Sequence, residues 1–219
     1  MLNIYKYIPQ LVPMYNEPHR GYHSMQHIHS LLRLIETNKF LEYVDLAKYR
    51  KHITMHHNKV IAFLTFTAWF HDCYYDPYLG SPDNEKISAK IFDAVVEPSN
   101  DDYERFEDNN MMDLIKTAIL DTGFHLSSMN INYAPYSALF MDMDMHNFSD
   151  LKEFQYNSIL IRKEYPKTSE IDYLNGRKKF LESLLAKKEI YYFYKPEFET
   201  SARKNIESEL VVIDQALGG

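Results

Sequence analysis

The stretch "NKVIAFLTFTAWFHD", residues 58 to 72, decides the fold class. It carries about twelve mostly apolar residues, too many for an ordinary buried strand, and its alanines suit a helix that crosses the core. Its last two residues bring His71 and Asp72 to the edge of that core. A lone His-Asp pair there is ordinary, because buried helices commonly end in polar residues. Imidazole nitrogen and carboxylate oxygen are also the ligands that divalent cations take. Which reading applies depends on whether the rest of the chain supplies partners.

Working outward, Met25, Ile28, Leu32 and Ile35 recur at helical spacing between Ser24 and Glu36, and His27 shares a neighbouring stripe with Leu31 and Leu34. His27 is therefore expected to point inward. Helical patterning resumes in "NEKISAKIFDAVV", "MMDLIKTAILDTGFH", "YSALFMDMDMHNF", "DLKEFQYNSILIRKEY", "GRKKFLESLLAKK" and "SARKNIESELVVIDQAL". The polar stretch at 97–110 reads as a loop between helices, and no repeat or alternating strand pattern interrupts the series. These features predict an all-α fold forming one domain over residues 1–219.

Composition narrows the function. The chain has 219 residues, 45% of them hydrophobic and 25% charged, with 31 acidic against 24 basic residues and a formal charge of −7. With that balance and no basic stripe, a long nucleic acid is a poor partner, whereas a small anion held by a metal is compatible. Cys73 is the only cysteine, so no intrachain disulfide forms. The first twenty residues lack the basic start and apolar run of a signal peptide, and the apolar run at 60–70 is too short for a bilayer. The expectation is a cytoplasmic protein with no membrane partner.

Metal ligands have two further sources. Of ten histidines, His19, His23, His27 and His29 lie close together, and His23 and His27, four residues apart, share a helix face. His52, His56 and His57 fall in a polar, basic stretch and read as surface. In "FMDMDMHNF", residues 140–148, two carboxylates interrupt an apolar helix, where burial requires a cation or several donors. Asp142 and Asp144 are two residues apart, about 200° around a helix, so they cannot both face one point. The pattern alone does not choose between them.

Taken together, "EPHRGYHSMQHI", "AWFHDCYYD", "NEKISA", "TGFH", "MDMDM", "IRKEY", "NGRKKFLESLL" and "FETSARKNIESEL" resemble a small bacterial and phage family within the HD superfamily of metal-dependent phosphohydrolases. The resemblance runs from about residue 15 to about residue 210. It implies that His27, His71, Asp72 and Asp144 hold a divalent ion (Mn, Co, Mg, Zn or Fe), with Asp144 chosen because Met143-Asp144-Met145 matches the family's last ligand segment. The family has leucine where Met145 stands and a small or apolar residue where His146 stands, which makes His146 a bystander or an added ligand.

The resemblance further implies hydrolysis of a small phosphorylated substrate, a nucleotide or nucleotide-derived signal. Asp72 and Glu85 are the candidate catalytic groups, and Arg20, Tyr22, His23 and His125 the candidate substrate contacts. His23 and His125 are alternatively ligands to a second metal. Two other classes remain open: a di-iron oxygenase drawing on His23, His125 and His146, and a non-catalytic nucleotide-binding module. Arg203 and Asn205 are expected to hold the fold, and Tyr191, Tyr192 and Tyr194 to fill or edge the core.

Overall fold

A computed structural model describes residues 4–80, 82–96 and 109–218. Most of the expected loop at 97–110 lies outside the described residues. Helices follow one another in the order α1 (Ile8–Tyr15), α2 (Met25–Glu36), α3 (Phe40–Tyr43), α4 (Leu46–His52), α5 (His57–Phe70) and α6 (Asp83–Val96). They continue as α7 (Asn109–Asp121), α8 (Pro135–Asp144), α9 (Leu151–Lys163), α10 (Glu170–Ala186) and α11 (Pro196–Gly218). No strand forms among the described residues, where an isolated bridge joins Val44 and Tyr194, so the all-α expectation holds. No described helix is long and apolar enough to cross a membrane.

Helix α5 is the axis of the molecule. It packs against α2, α6 and α7, and its final turns are buried almost all round, from Phe66 to Phe70. That explains why its sequence shows no clean amphipathic stripe: a helix covered on every side is apolar on every side. Phe63, Phe66, Phe70 and Phe92 belong to one contiguous apolar cluster with Ile28, Ile115 and Phe140.

One buried segment is not helical. Residues 190–194, between α10 and α11, run through the core with every side chain buried. Outside a helix or sheet, their backbone amides need other acceptors. Glu199 accepts from the N–H groups of Ile190 and Tyr191 at 3.0 Å each, and Asp142 from Tyr192, Phe193 and Tyr194 at 2.8, 2.6 and 3.1 Å. The segment is also tied to the chain after α3, where the Asp45 and Lys195 amides donate to the carbonyls of Phe193 and Tyr43. Nearby, Arg203 donates to Glu199 and to the carbonyls of Leu185 and Lys187, while Asn205 donates to that of Phe148, as expected of fold-holding groups.

Because Asp142 answers three buried amides at once, removing its carboxylate orphans all three, at about 1–3 kcal/mol each before relaxation. Asp142→Ala is therefore expected to lose about 3 kcal/mol or more in urea denaturation. A loss under about 1 kcal/mol would contradict the role given to Asp142.

Candidate metal and cleft site

The C-terminal turn of α5 is fixed by a guanidinium. Arg20 donates through Nη1 to the carbonyls of Asp72 and His23 at 2.7 and 2.9 Å, through Nη2 to that of Cys73 at 3.1 Å, and through Nε to Glu17 at 3.0 Å. Two of these carbonyls follow the end of α5, where no further helical turn satisfies them. The side chain is fully buried. Expected as a phosphate contact, Arg20 instead positions the His71-Asp72 turn and presents no free fork to a ligand.

Held this way, His71 meets two other elements. Its Nδ1 lies 3.0 Å from the Ala68 carbonyl, which only accepts, so Nδ1 carries a proton and Nε2 is the nitrogen turned toward the cluster, the one that would ligate a cation. His71 Nε2 is 3.3 Å from His27 Nε2 on α2, 3.5 Å from Asp144 Oδ1 at the end of α8, and 3.0 Å from Asp72 Oδ2. His27 Nε2 is 2.9 Å from Asp144 Oδ1. The ligand atoms of His27, His71 and Asp144 lie within 4.8 Å of one another, the spacing of a group able to hold a metal ion. Asp72 stands beside this trio, touching it through His71.

The donors fit a cation. Two imidazole nitrogens and carboxylate oxygens converge, and adjacent ligands on a tetrahedral centre with bonds of roughly 2.0–2.1 Å stand about 3.3 Å apart. Burial by itself would depress the His71 imidazole and raise the two carboxyls. The carboxylates of Asp72 and Asp144 reverse this, holding His71 well above its ordinary range, while His71 holds both carboxyls below theirs. The two acidic residues of α8 are thus separated by their partners: Asp142 faces backbone amides and Asp144 faces imidazoles.

His27 and Asp144 line a small hollow, and Asp72 and Asp144 open on a separate cleft of about 680 Å³. Tyr22, His23, Glu85 and His125 line it, together with Asp72 and Asp144. His125, carried by the 3₁₀ turn Thr122–Phe124, brings Nε2 to 3.2 Å from Asp144 Oδ2, the oxygen opposite the one facing His27. Glu85 sits in the first turn of α6. Its neighbour Asn84 pairs with both backbone groups of Asp76, at 2.9 and 3.0 Å, so the loop after α5 is pinned where Glu85 enters the cleft. Tyr22 packs over the His27 ring at 4.7 Å, and its hydroxyl accepts from Asn147 Nδ2 at 2.8 Å. His19, His29, His56 and His57 are exposed and lie away from the trio, and His52 is half-buried. His146 stacks on Tyr43, and burial pushes it down to about 4.

Sequence reasoning missed Glu164. This fully buried carboxylate accepts through Oε1 from the N–H groups of Gly21, Tyr22 and His23 at 2.8–2.9 Å. Its Oε2 takes His23 Nδ1 at 2.8 Å and the Tyr75 hydroxyl at 2.9 Å. With Nδ1 bound, His23 has Nε2 left for the cleft, and its ring stacks on Tyr75 at 4.0 Å. Gly21 permits this approach: a Cβ there would lie 2.3 Å from the Leu160 carbonyl oxygen. The one local sign was an acidic residue at a helix C-terminus, where the dipole disfavours it.

Searches against protein-family models, curated proteins and solved structures give no match.

Glu164 and His23 also set a pH dependence. Burial would raise Glu164 and lower His23, but their pairing lowers Glu164 from 4.5 and raises His23 from 6.5. Glu164's contribution is present above its unfolded value and is lost as pH falls through its depressed folded value. That of His23 is complete below its unfolded value and is lost as pH rises through its elevated folded value. Glu164→Gln should therefore destabilise most near pH 5.5, by about 2–4 kcal/mol, and less near pH 8.5. Equal losses at both pH values in urea titrations would contradict the ion pair.

Proposed function

We propose that the chain is a metal-dependent phosphohydrolase acting on a small phosphorylated metabolite. The observation that carries this reading is the convergence of His27 Nε2, His71 Nε2 and Asp144 Oδ1, with Asp144 and the adjoining Asp72 opening on the cleft and His71 Nδ1 engaged by the Ala68 carbonyl. The order of these residues along the chain is also that of the HD-type phosphohydrolases it resembles. A divalent cation bound there would lower the pKa of water and neutralise charge developing on a phosphoryl group.

The chain's own residues supply the rest. Asp72, with one oxygen against His71 and its carboxylate on the cleft, orients the attacking water and accepts its proton. As the new water oxygen–phosphorus bond forms, the ester oxygen–phosphorus bond breaks, and the departing oxygen takes a proton from an acid on the cleft wall. Glu85 is the group assigned to that transfer, and His23 and His125 hold phosphoryl oxygens. Arg20 acts through the backbone of the His71-Asp72 turn rather than on substrate.

One contact favours a second reading. His125 on the second oxygen of Asp144 would suit a carboxylate shared by two metal ions, the arrangement a di-iron oxygenase uses. Two irons per chain and dioxygen consumption would select it.

Phosphate release from a panel of phosphomonoesters and nucleotides, with Mn, Co or Mg added in turn, tests the hydrolase. Turnover should require metal and vanish in His27→Ala. Glu85→Gln should retain bound metal and melting temperature yet lose about 10²- to 10⁴-fold in kcat. Near-normal turnover in that variant would remove Glu85 from the chemistry, and no metal-dependent release from any substrate would remove the proposal.

A further inference from the structure

The cleft changes character with distance from Asp72 and Asp144. Beyond them the walls are aromatic: Tyr75, Tyr78, Tyr165, Tyr173, Phe148 and Phe180. Three of the four tyrosine hydroxyls are already hydrogen-bonded. Tyr75 donates to Glu164, Tyr78 accepts from the Lys167 amide at 3.0 Å, and the Tyr165 hydroxyl is bonded to that of Tyr75. Ring carbon is what these side chains offer a ligand. The Tyr78 and Tyr165 rings meet edge to face at 6.1 Å, and Tyr165 and Tyr173 are tilted at 5.7 Å, so the wall is continuous.

Positive charge along the wall is sparse and mostly engaged: Arg162 sits 4.8 Å from the Tyr173 ring and is bound to Glu170, and Lys167 sits 5.7 Å from the Tyr78 ring at the exposed edge. Among the described lining residues the basic side chains are Arg177, His23 and His125. Arg177 is bound by Glu209 through two contacts, at 2.9 and 3.1 Å, and donates to Ser158 at 2.9 Å, with its side chain 6% exposed. His23 and His125 stand beside Glu164 and Asp144, at the metal end. Besides Asp72 and Asp144, the carboxylates lining the cleft are Asp76, Glu85 and Asp172. A single phosphoryl group is met by cation and imidazoles. A second or third phosphate would lie among aromatic rings and carboxylates, desolvated and repelled.

We infer that the substrate is a phosphomonoester whose leaving group is an uncharged aromatic ring system, and that polyphosphates are discriminated against. This rests on the phosphohydrolase reading and narrows it. The volume of about 680 Å³ accommodates such a group beside one phosphoryl. Removing an aromatic face from water against these rings favours an aryl over a small polar leaving group by a factor on the order of 30 to 100.

The test compares kcat/KM of the manganese-supplied full chain for 1-naphthyl phosphate, glycerol 2-phosphate, AMP and ATP. The expected result is 1-naphthyl phosphate above glycerol 2-phosphate by on the order of 30-fold or more, and AMP above ATP by about 10-fold or more. Tyr78→Ala, at a half-exposed position where folding tolerates change, should narrow the naphthyl-to-glycerol ratio several-fold, chiefly through KM. Glycerol 2-phosphate equal to the aryl ester, ATP equal to AMP, or a ratio untouched by Tyr78→Ala overturns the inference while leaving the hydrolase standing. No turnover of any of the four overturns both.

Discussion

The structure depends on buried carboxylates answering buried backbone amides. In an all-helical fold each stretch of chain that crosses the core without forming a helix carries N–H groups with no built-in acceptor, and leaving them unsatisfied is costly. Three acidic side chains meet that demand. Asp142 and Glu199 serve residues 190–194, and Glu164 serves residues 21–23. Asp142 and Glu164 reach across 50 and 141 residues or more and so fix the relation of distant segments, whereas Glu199 acts locally, over eight and nine residues.

That constraint separates structural from chemical acids. Asp142 and Glu164 lie among amide donors; burial still pushes the Asp142 carboxyl up to about 7, while Glu164, also paired with His23, is held below its ordinary range. Asp144 and Asp72 lie against imidazoles, and the His71 nitrogen facing them is the one left to share a proton with the carboxylates or to bind a cation, because its other nitrogen donates to the Ala68 carbonyl. A site where carboxylates meet lone pairs is unsettled without a proton or a cation between them. The same scaffold explains its placement. Arg20 gathers the carbonyls after α5 and Glu164 gathers the amides before α2, so the two histidine-bearing segments are braced from opposite sides.

Much of this was legible in the sequence, for physical reasons. The unbroken apolar run of α5 fixed the fold class because only an enclosed helix is apolar all round. His27 was readable because it shares a stripe with Leu31 and Leu34, and all three are buried. Helix α1 escaped notice because Pro9 and Pro13 look like breaks; yet Pro9 occupies the helix's opening turn, where its missing N–H costs nothing. The choice between Asp142 and Asp144 could not be made from periodicity, since it turns on which face meets residues 192–194. Arg20 was misassigned for a related reason: a guanidinium beside a histidine helix reads equally as anion contact or as carbonyl clamp until the chain after Asp72 is located. Glu164 left almost no local trace because its amide partners lie more than 140 residues away.

The central claim is that Asp144, and not Asp142, completes a cation site with His27 and His71. Crystals of the protein grown or soaked with manganese, measured for anomalous scattering, test it directly. The account predicts a peak within about 2.0–2.6 Å of His27 Nε2, His71 Nε2 and an Asp144 oxygen. No peak at that position, or a peak that takes Asp142 as a ligand, would contradict it.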